Sequence, residues 1–163
     1  MKKYLYLAVC LIVFLTVSPC RAALDDSVGQ RASLAVDIQT DKVQYAPGEC
    51  VLVSFTVINT GSEPVVLNFS SGRQVDFSVV DMSGIEVWRS SRHALYIQAL
   101  TSMELQPGEV EEFQEEWPQV NNSGEQVSPG IYQVIGQLTA NGIQHQRNAS
   151  IPVAITPSSY VGN

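Results

Sequence analysis

Cysteine and basic residues are scarce in this chain, and each scarcity excludes a class of protein. Two of the three cysteines lie within the first two dozen residues, so the rest of the chain cannot hold an internal disulfide framework. Nine basic residues stand against sixteen acidic ones, for a formal net charge of −7. A surface of this sign repels phosphate backbones and anionic lipid head groups. We therefore expect no nucleic acid among the partners of this protein.

Signatures of enzymes and metal proteins are missing as well. The two histidines, His93 and His145, have no companions at zinc-binding spacing, and no Gly-x-Ser-x-Gly elbow occurs. Five glutamates between residues 109 and 116 follow one predicted strand, whereas a cation site needs carboxylates that converge from several loops. We interpret them as a solvated or edge-protecting face. The sequence predicts no catalytic residue, no metal site and no cofactor.

Residues 1–22 have the pattern of a cleavable secretory signal. Two lysines precede an apolar run of about 14 residues, Tyr4 to Val17, which is shorter than the roughly 18 that a membrane-spanning helix needs. Small residues around Ala22 predict cleavage there, followed by a flexible arm over residues 23–32. The pattern predicts an exported protein, periplasmic or secreted, without a membrane span.

The cysteines leave two alternatives open for processing. Cys20 resembles a lipid-attachment site, but Pro19 stands where such sites carry a small residue, so a lipid anchor is disfavoured. Cys50 is predicted to be a small buried strand residue. If Cys20 were retained, a bridge to Cys50 would be conceivable.

From residue 33 to residue 157 the chain alternates β-rich runs with turn signals, as sandwiches and barrels do. In the run after Cys50, apolar residues recur at every second position and define one inward face. Asp81-Met82-Ser83-Gly84 and Asn141-Gly142 have the composition of hairpin loops. The predicted strands are Leu34–Gln39, Cys50–Ile58, Val65–Phe69, Val75–Val80, Ile85–Trp88, Val110–Trp117, Ile131–Ala140 and Ile143–Ile155.

These features predict an all-β protein, an immunoglobulin-like antiparallel β-sandwich of about seven to nine strands. A signal segment would precede the domain, and a short tail over residues 158–163 would follow it. Residues 89–104 are the one place where a helical turn is expected. We assign structural roles to Asp76, Phe77, Trp88 and Trp117, with the two tryptophans as core aromatics.

The order and spacing of several short motifs resemble the BsuPI-type intracellular proteinase inhibitor domain, from about Val51 to Leu138. The resemblance implies a small β-sandwich that inhibits a subtilisin-like serine protease. The chain departs from the family in one place, since Arg89-Ser90-Ser91 stands where family members tend to have Arg-Trp-Ser. The motifs are Phe55-Thr56-Val57 with Asn59, Leu67-Asn68-Phe69 with Ser71-Gly72, Asp76-Phe77, Asp81 with Gly84, Val87-Trp88-Arg89, Gln98-Ala99-Leu100, Leu105 with Pro107-Gly108-Glu109, Trp117, and Pro129-Gly130 with Tyr132.

Two loops are candidates for contact with a protease, because an inhibitor must present a rigid loop held by its scaffold. The first concentrates basic side chains in an otherwise acidic chain, and the second is polar. An ordinary solvated loop is the alternative for the first. A non-inhibitory extracytoplasmic protein-binding module is the alternative for the whole domain, and the oligomeric state is left open. The first loop comprises Arg89, Ser90, Ser91, Arg92, His93 and Tyr96, and the second comprises Asn121, Asn122, Ser123 and Gly124.

Overall fold

A computed structural model describes residues 33–92, 94–143 and 147–157. The predicted signal segment, the arm, His93, His145 and the tail lie outside the described residues. The all-β prediction is confirmed: the eight predicted strands are present, and β2 and β7 are additional. The strands are β1 Leu34–Thr40, β2 Gln44–Tyr45, β3 Val51–Asn59, β4 Val65–Phe69, β5 Val75–Asp81, β6 Glu86–Arg89, β7 Thr101–Leu105, β8 Val110–Trp117, β9 Gly130–Leu138 and β10 Asn148–Ile155, with one 3-10 helix at Ser90–Arg92.

Two sheets pack face to face and enclose the core. One has the strand order β1-β3-β8 and the other β2-β10-β9-β5-β6, while β4 and β7 form a separate pair. All strand pairs are antiparallel except the two-residue pairing of β2 with β10. Phe55 on β3 meets Phe77 on β5 edge to face, with ring centroids 6.2 Å apart. Trp117 on β8 meets Tyr132 on β9 in the same way at 5.5 Å. The sandwich is therefore held by aromatic contacts between the sheets.

Alternation along β3 explains both a success and an error of the sequence analysis. Val51, Val53, Phe55 and Val57 are all buried, as the period of two predicts. Cys50 was expected to be buried, but it is an exposed free cysteine. It lies one residue before the first inward-facing position of β3, so it belongs by parity to the outer side.

The predicted hairpin of β9 and β10 is present, but its connection is longer than the two residues expected from Asn141-Gly142. Regular pairing runs from Gly130↔Ile155 to Gln137↔Asn148. The backbone then leaves the ladder, because the N–H of Thr139 donates to Gln74 and that of Asn141 donates to Asn68. Contacts with other strands thus end the pairing before the Asn-Gly turn.

Strand β6 is an edge strand of the larger sheet, and it leads directly into the candidate contact loop. Its pairing with β5 shifts register between Val79 and Val80, so Val87 is an extra residue that faces no partner. The 3-10 helix Ser90–Arg92 follows at once, as the expected helical turn in residues 89–104. The last four residues of that range belong to β7 instead, which pairs with β4. Within the described ranges, no helix is long and apolar enough to cross a membrane.

Candidate functional site

A buried carboxylate organises the start of the first candidate loop. Asp76 on β5 is 5% exposed. Its Oδ2 accepts from Arg89 Nη1 at 2.8 Å, from Arg73 Nη1 at 3.3 Å and from Ser91 Oγ at 3.2 Å, while its Oδ1 accepts from Ser90 Oγ at 3.2 Å. We call Asp76 with these four donors the Asp76 network. A buried charge needs such a shell of partners, which here come from the loop before β5, from the last residue of β6 and from the 3-10 helix that follows β6.

A second carboxylate holds the outer side of the same arginine. Glu86 Oε2 accepts from both Arg89 Nε at 2.8 Å and Arg89 Nη2 at 2.5 Å, so one carboxylate oxygen takes two charge-assisted hydrogen bonds. This pairing lowers the pKa of Glu86 and raises the pKa of Arg89. Arg92 is exposed, and its Nε lies 3.3 Å from Glu86 Oε1. Arg89 is therefore committed to partners within the domain, whereas Arg92 faces solvent.

Ser90 occupies the position at which the chain departs from the resembled family. It is buried, and its hydroxyl accepts from the N–H of Phe77 at 3.1 Å while donating to Asp76. In this chain the Ser90 hydroxyl connects the 3-10 helix to β5 by hydrogen bonds. The position offers no side chain to a partner.

The second candidate loop lies against the first. Asn122 satisfies two backbone groups on the free edge of β6. Its N–H donates to the Val87 carbonyl at 2.7 Å, and its Oδ1 accepts from the Arg89 N–H at 3.0 Å. Its amide also approaches Glu86 Oε1 at 3.4 Å. The structure thus brings both candidate loops together at one end of β6.

The turn 121–124 is closed by local hydrogen bonds. Asn121 Oδ1 accepts from the N–H groups of Ser123 and Glu125, and the Gly124 N–H donates back to the Asn121 carbonyl. Gly124 has a φ of 82°, in the region that glycine adopts without strain. Ser123 and Gly124 are exposed at its tip.

Residues 94–100 form an exposed apolar segment that the sequence analysis missed. The segment connects the candidate loop to β7 and is neither helix nor strand. Leu95 is 104% exposed, Leu100 85% and Ile97 68%. Apolar runs usually indicate burial, so the sequence carried no signal that these side chains face water.

The C-terminal half of the exposed apolar segment is bonded to the domain at two points. The Gly72 N–H donates to the Ile97 carbonyl at 3.0 Å, and the Thr101 hydroxyl donates to the Ser71 carbonyl at 3.2 Å. Gly72 permits this approach, because a Cβ there would lie 2.8 Å from Ile97 Cγ1. Tyr96 is half-buried, and its ring lies 5.9 Å from the Arg73 guanidinium. Burial raises the pKa of the Tyr96 hydroxyl, with smaller contributions from nearby carboxylates.

A cleft of about 310 Å³ separates the candidate loops from β8. The residues that line it include Trp88, Ala94, Glu115, Pro118 and Gly124. Glu115 lies on the partly covered face of β8, and burial raises the pKa of its carboxyl. The outer residues of β8 are exposed at the end of the β1-β3-β8 sheet, as the edge-protecting interpretation of the glutamates predicts.

Gln119 is a second residue that the sequence analysis missed. It is fully buried and has a φ of 57°, in the left-handed region that only glycine enters freely. Its Oε1 accepts from the Gly48 N–H at 2.8 Å, and its Nε2 donates to the Ala46 carbonyl at 2.9 Å. One side chain thus makes two hydrogen bonds to the backbone of the β2–β3 turn and connects that turn to the loop that carries residues 121–124.

The described residues include no group of three or more histidine, cysteine, aspartate or glutamate side chains placed to hold a metal. The four residues assigned structural roles are buried: Trp117 packs against Tyr132, and Trp88 lines the cleft floor. The site thus combines a buried ionic network with exposed apolar side chains.

The family comparison agrees with the resemblance found in the sequence. A family model described as BsuPI, intracellular proteinase inhibitor, matches residues 38–143. The matched range covers well over half of the chain and contains the Asp76 network, the exposed apolar segment and the turn 121–124. No curated protein matches the chain by sequence.

The family description contradicts the predicted export. It names an intracellular inhibitor, so the predicted periplasmic or secreted localisation is wrong. The prediction depended on residues 1–22 alone, which lie outside both the matched range and the described residues. An apolar run after two lysines is a short pattern, and the matched domain outweighs it.

Solved structures resemble the chain only distantly. A β-glucosidase from Erythrobacter marinus matches with 16% identity and a TM-score of 0.47 over 77% of this chain and 16% of its own. The CARDB domain of a Pyrococcus furiosus protein, solved with di-metal ions, matches with 13% identity and a TM-score of 0.45 over 77% and 94%. A sporulation control protein from Bacillus subtilis has 19% identity and a TM-score of 0.44 over 77% and 49%. The chain thus spans a small part of the first of these proteins, and such distant likenesses carry no argument about function.

Proposed function

Because the chain belongs to the BsuPI family of intracellular proteinase inhibitors, we propose that it inhibits a subtilisin-like serine protease through a surface at one end of β6. That surface comprises Arg92, the exposed apolar segment (residues 94–100, which include Tyr96) and the turn 121–124. Arg89, Ser90 and Ser91 support this surface from below. Membership in an inhibitor family favours a binding protein over an enzyme.

One observation carries the proposal: an exposed apolar segment comes shortly after an ordered turn and is bonded to the domain through its C-terminal half. Free energy is gained when exposed apolar area is buried against a partner, and it is partly lost if the segment must first be ordered. Here the Asp76 network orders the turn before the segment, and Gly72 and Ser71 hold its far end. A protease would therefore meet a loop that already has its bound shape.

The support beneath the loop would also favour resistance to digestion by the protease. A protease that cuts a loop releases its ends only if the scaffold lets them separate. The 3-10 helix is bonded to β5 through Ser90, and β7 is bonded to β4 along five residue pairs. The segment thus lies between a 3-10 helix that is bonded to β5 and a strand that is paired with β4.

Titration of the full-length chain against subtilisin tests the proposal, with hydrolysis of a small chromogenic peptide as the readout. We expect stoichiometric loss of activity while the chain remains intact on a gel. Arg92→Ala and Asn121→Ala probe the two parts of the surface, and Val110→Ala, on an exposed residue roughly 17 Å along β8 from Glu115, is the matched control.

Full activity of subtilisin and of further subtilisin-like proteases at excess inhibitor would contradict inhibition. The alternative is a protein-binding module without inhibitory activity. It would show as a stable complex with a protease, or with another protein, that leaves peptide hydrolysis unchanged.

A further inference from the structure

Three apolar side chains of the exposed segment are candidates for the deepest contact with the protease, and their backbone surroundings differ. The Ile97 carbonyl is bonded to Gly72, and the Ile97 side chain lies against that glycine. Leu100 directly precedes Thr101, whose backbone is paired with Phe69 in the β4–β7 ladder. Both residues are thus placed where the segment rejoins the domain.

Leu95 lies away from these attachments. It is fully exposed and is the most exposed large apolar residue in the described part of the chain. On one side Ala94 lines the cleft beside Trp88, and on the other Tyr96 is half-buried near Arg73. Leu95 is thus the side chain of the segment that projects furthest into solvent, next to a half-buried tyrosine.

We propose that Leu95 occupies the primary specificity pocket of the target protease, and hence that the target is a serine protease that cleaves after large apolar residues. The inference rests on the proposed function and specifies which residue sets its selectivity. Serine proteases accept the side chain before the scissile bond in a pocket whose lining determines the substrate class. An apolar pocket accepts leucine and rejects a carboxylate, because the charge would lose its water without gaining a partner.

Inhibition of subtilisin by four variants of the full-length chain tests this assignment. Leu95→Asp is expected to raise the inhibition constant by about 100-fold or more, as for residues at the centre of an interface. Leu95→Met keeps an apolar side chain of similar volume and should stay within about 10-fold of the wild type. Val110→Asp places the same charge at an exposed apolar position outside the proposed surface and should change the constant by less than about 10-fold, whereas Leu100→Asp, within that surface, should lose less inhibition than Leu95→Asp.

The controls separate this inference from the proposed function. Because Leu95 is fully exposed, Leu95→Asp should leave the midpoint of urea unfolding within the error of the wild type, so that any loss of inhibition reflects the contact. If the wild type inhibits and Leu95→Asp inhibits as well as Val110→Asp does, the assignment of Leu95 is wrong while the proposed function stands. If Leu100→Asp loses as much as Leu95→Asp, the assignment is again wrong. If the wild type inhibits no subtilisin-like protease, the proposed function itself fails.

Discussion

Removing the Asp76 carboxylate is expected to destabilise the domain strongly, because four side chains depend on it. Asp76→Ala deletes acceptors for Arg73, Arg89, Ser90 and Ser91 at once. Breaking a buried ion pair by removing one partner costs roughly 3–5 kcal/mol. Arg89 keeps its bond to a second carboxylate and is 31% exposed, so part of its charge is still solvated. We therefore expect a loss of about 3 kcal/mol, at the lower end of that range.

Asp76→Asn tests whether the charge or the shape of this side chain matters. The amide keeps an oxygen for the Ser90 hydroxyl, but its NH₂ group must face the guanidinium groups of Arg73 and Arg89. Two donors that face each other leave a buried polar group unsatisfied, at a cost of about 1–3 kcal/mol. Asp76→Asn should thus fall between the wild type and the alanine variant.

Equilibrium unfolding in urea measures both effects, with Asp37→Asn as the matched control. Asp37 is exposed on β1, and we expect that variant to stay within about 0.5 kcal/mol of the wild type. If Asp76→Ala cost no more than Asp37→Asn, the Asp76 network would not stabilise the fold, and the argument that it preorganises the exposed segment would be refuted.

Three further substitutions test other parts of the structure by urea unfolding. Gln119→Ala leaves two backbone groups of the neighbouring turn without partners and should cost about 2–4 kcal/mol, whereas a loss below about 0.5 kcal/mol would contradict that role. Gly136→Ala places a Cβ 2.3 Å from the Phe55 ring and should cost about 3 kcal/mol, part of which the second change Phe55→Leu should recover; additive losses would contradict the clash. Burial raises the pKa of Glu115, so ionisation of this carboxyl opposes folding as the pH rises through its unfolded pKa, near 4.3, towards its folded pKa. Glu115→Gln should therefore stabilise the domain at pH 7 but not at pH 3. Equal effects at the two pH values would refute this.

The strands were predictable where apolar residues recur at every second position. β3 shows this most clearly, and its parity also explains why Cys50 is exposed. β7 escaped prediction because Thr101-Ser102-Met103-Glu104-Leu105 is mostly polar and its pairing depends on β4, more than thirty residues earlier. Residues whose conformation is fixed by a distant partner carry little local signal.

The two candidate loops were chosen by residue type, and the structure places them side by side. The sequence did not indicate the direction of each side chain. Arg89 turns inward because Asp76, thirteen residues earlier, lies beneath it on the neighbouring strand. Leu95 is fully exposed, two residues before the Ile97 carbonyl that is bonded to Gly72. Both outcomes depend on tertiary neighbours, which explains why basic residues seemed to be the contact residues and the leucine did not.

The arrangement separates the residues that shape the loop from the residue that would meet the protease. A buried ionic network gains little stability over an apolar core of the same volume, but it requires defined donor and acceptor directions. The Asp76 network therefore orders the 3-10 turn that precedes the exposed apolar segment. Changes in the network should weaken folding and binding together, whereas a change at Leu95 should weaken binding alone. A variant that lost binding through the network while keeping full stability would show that the support and the contact are not separate.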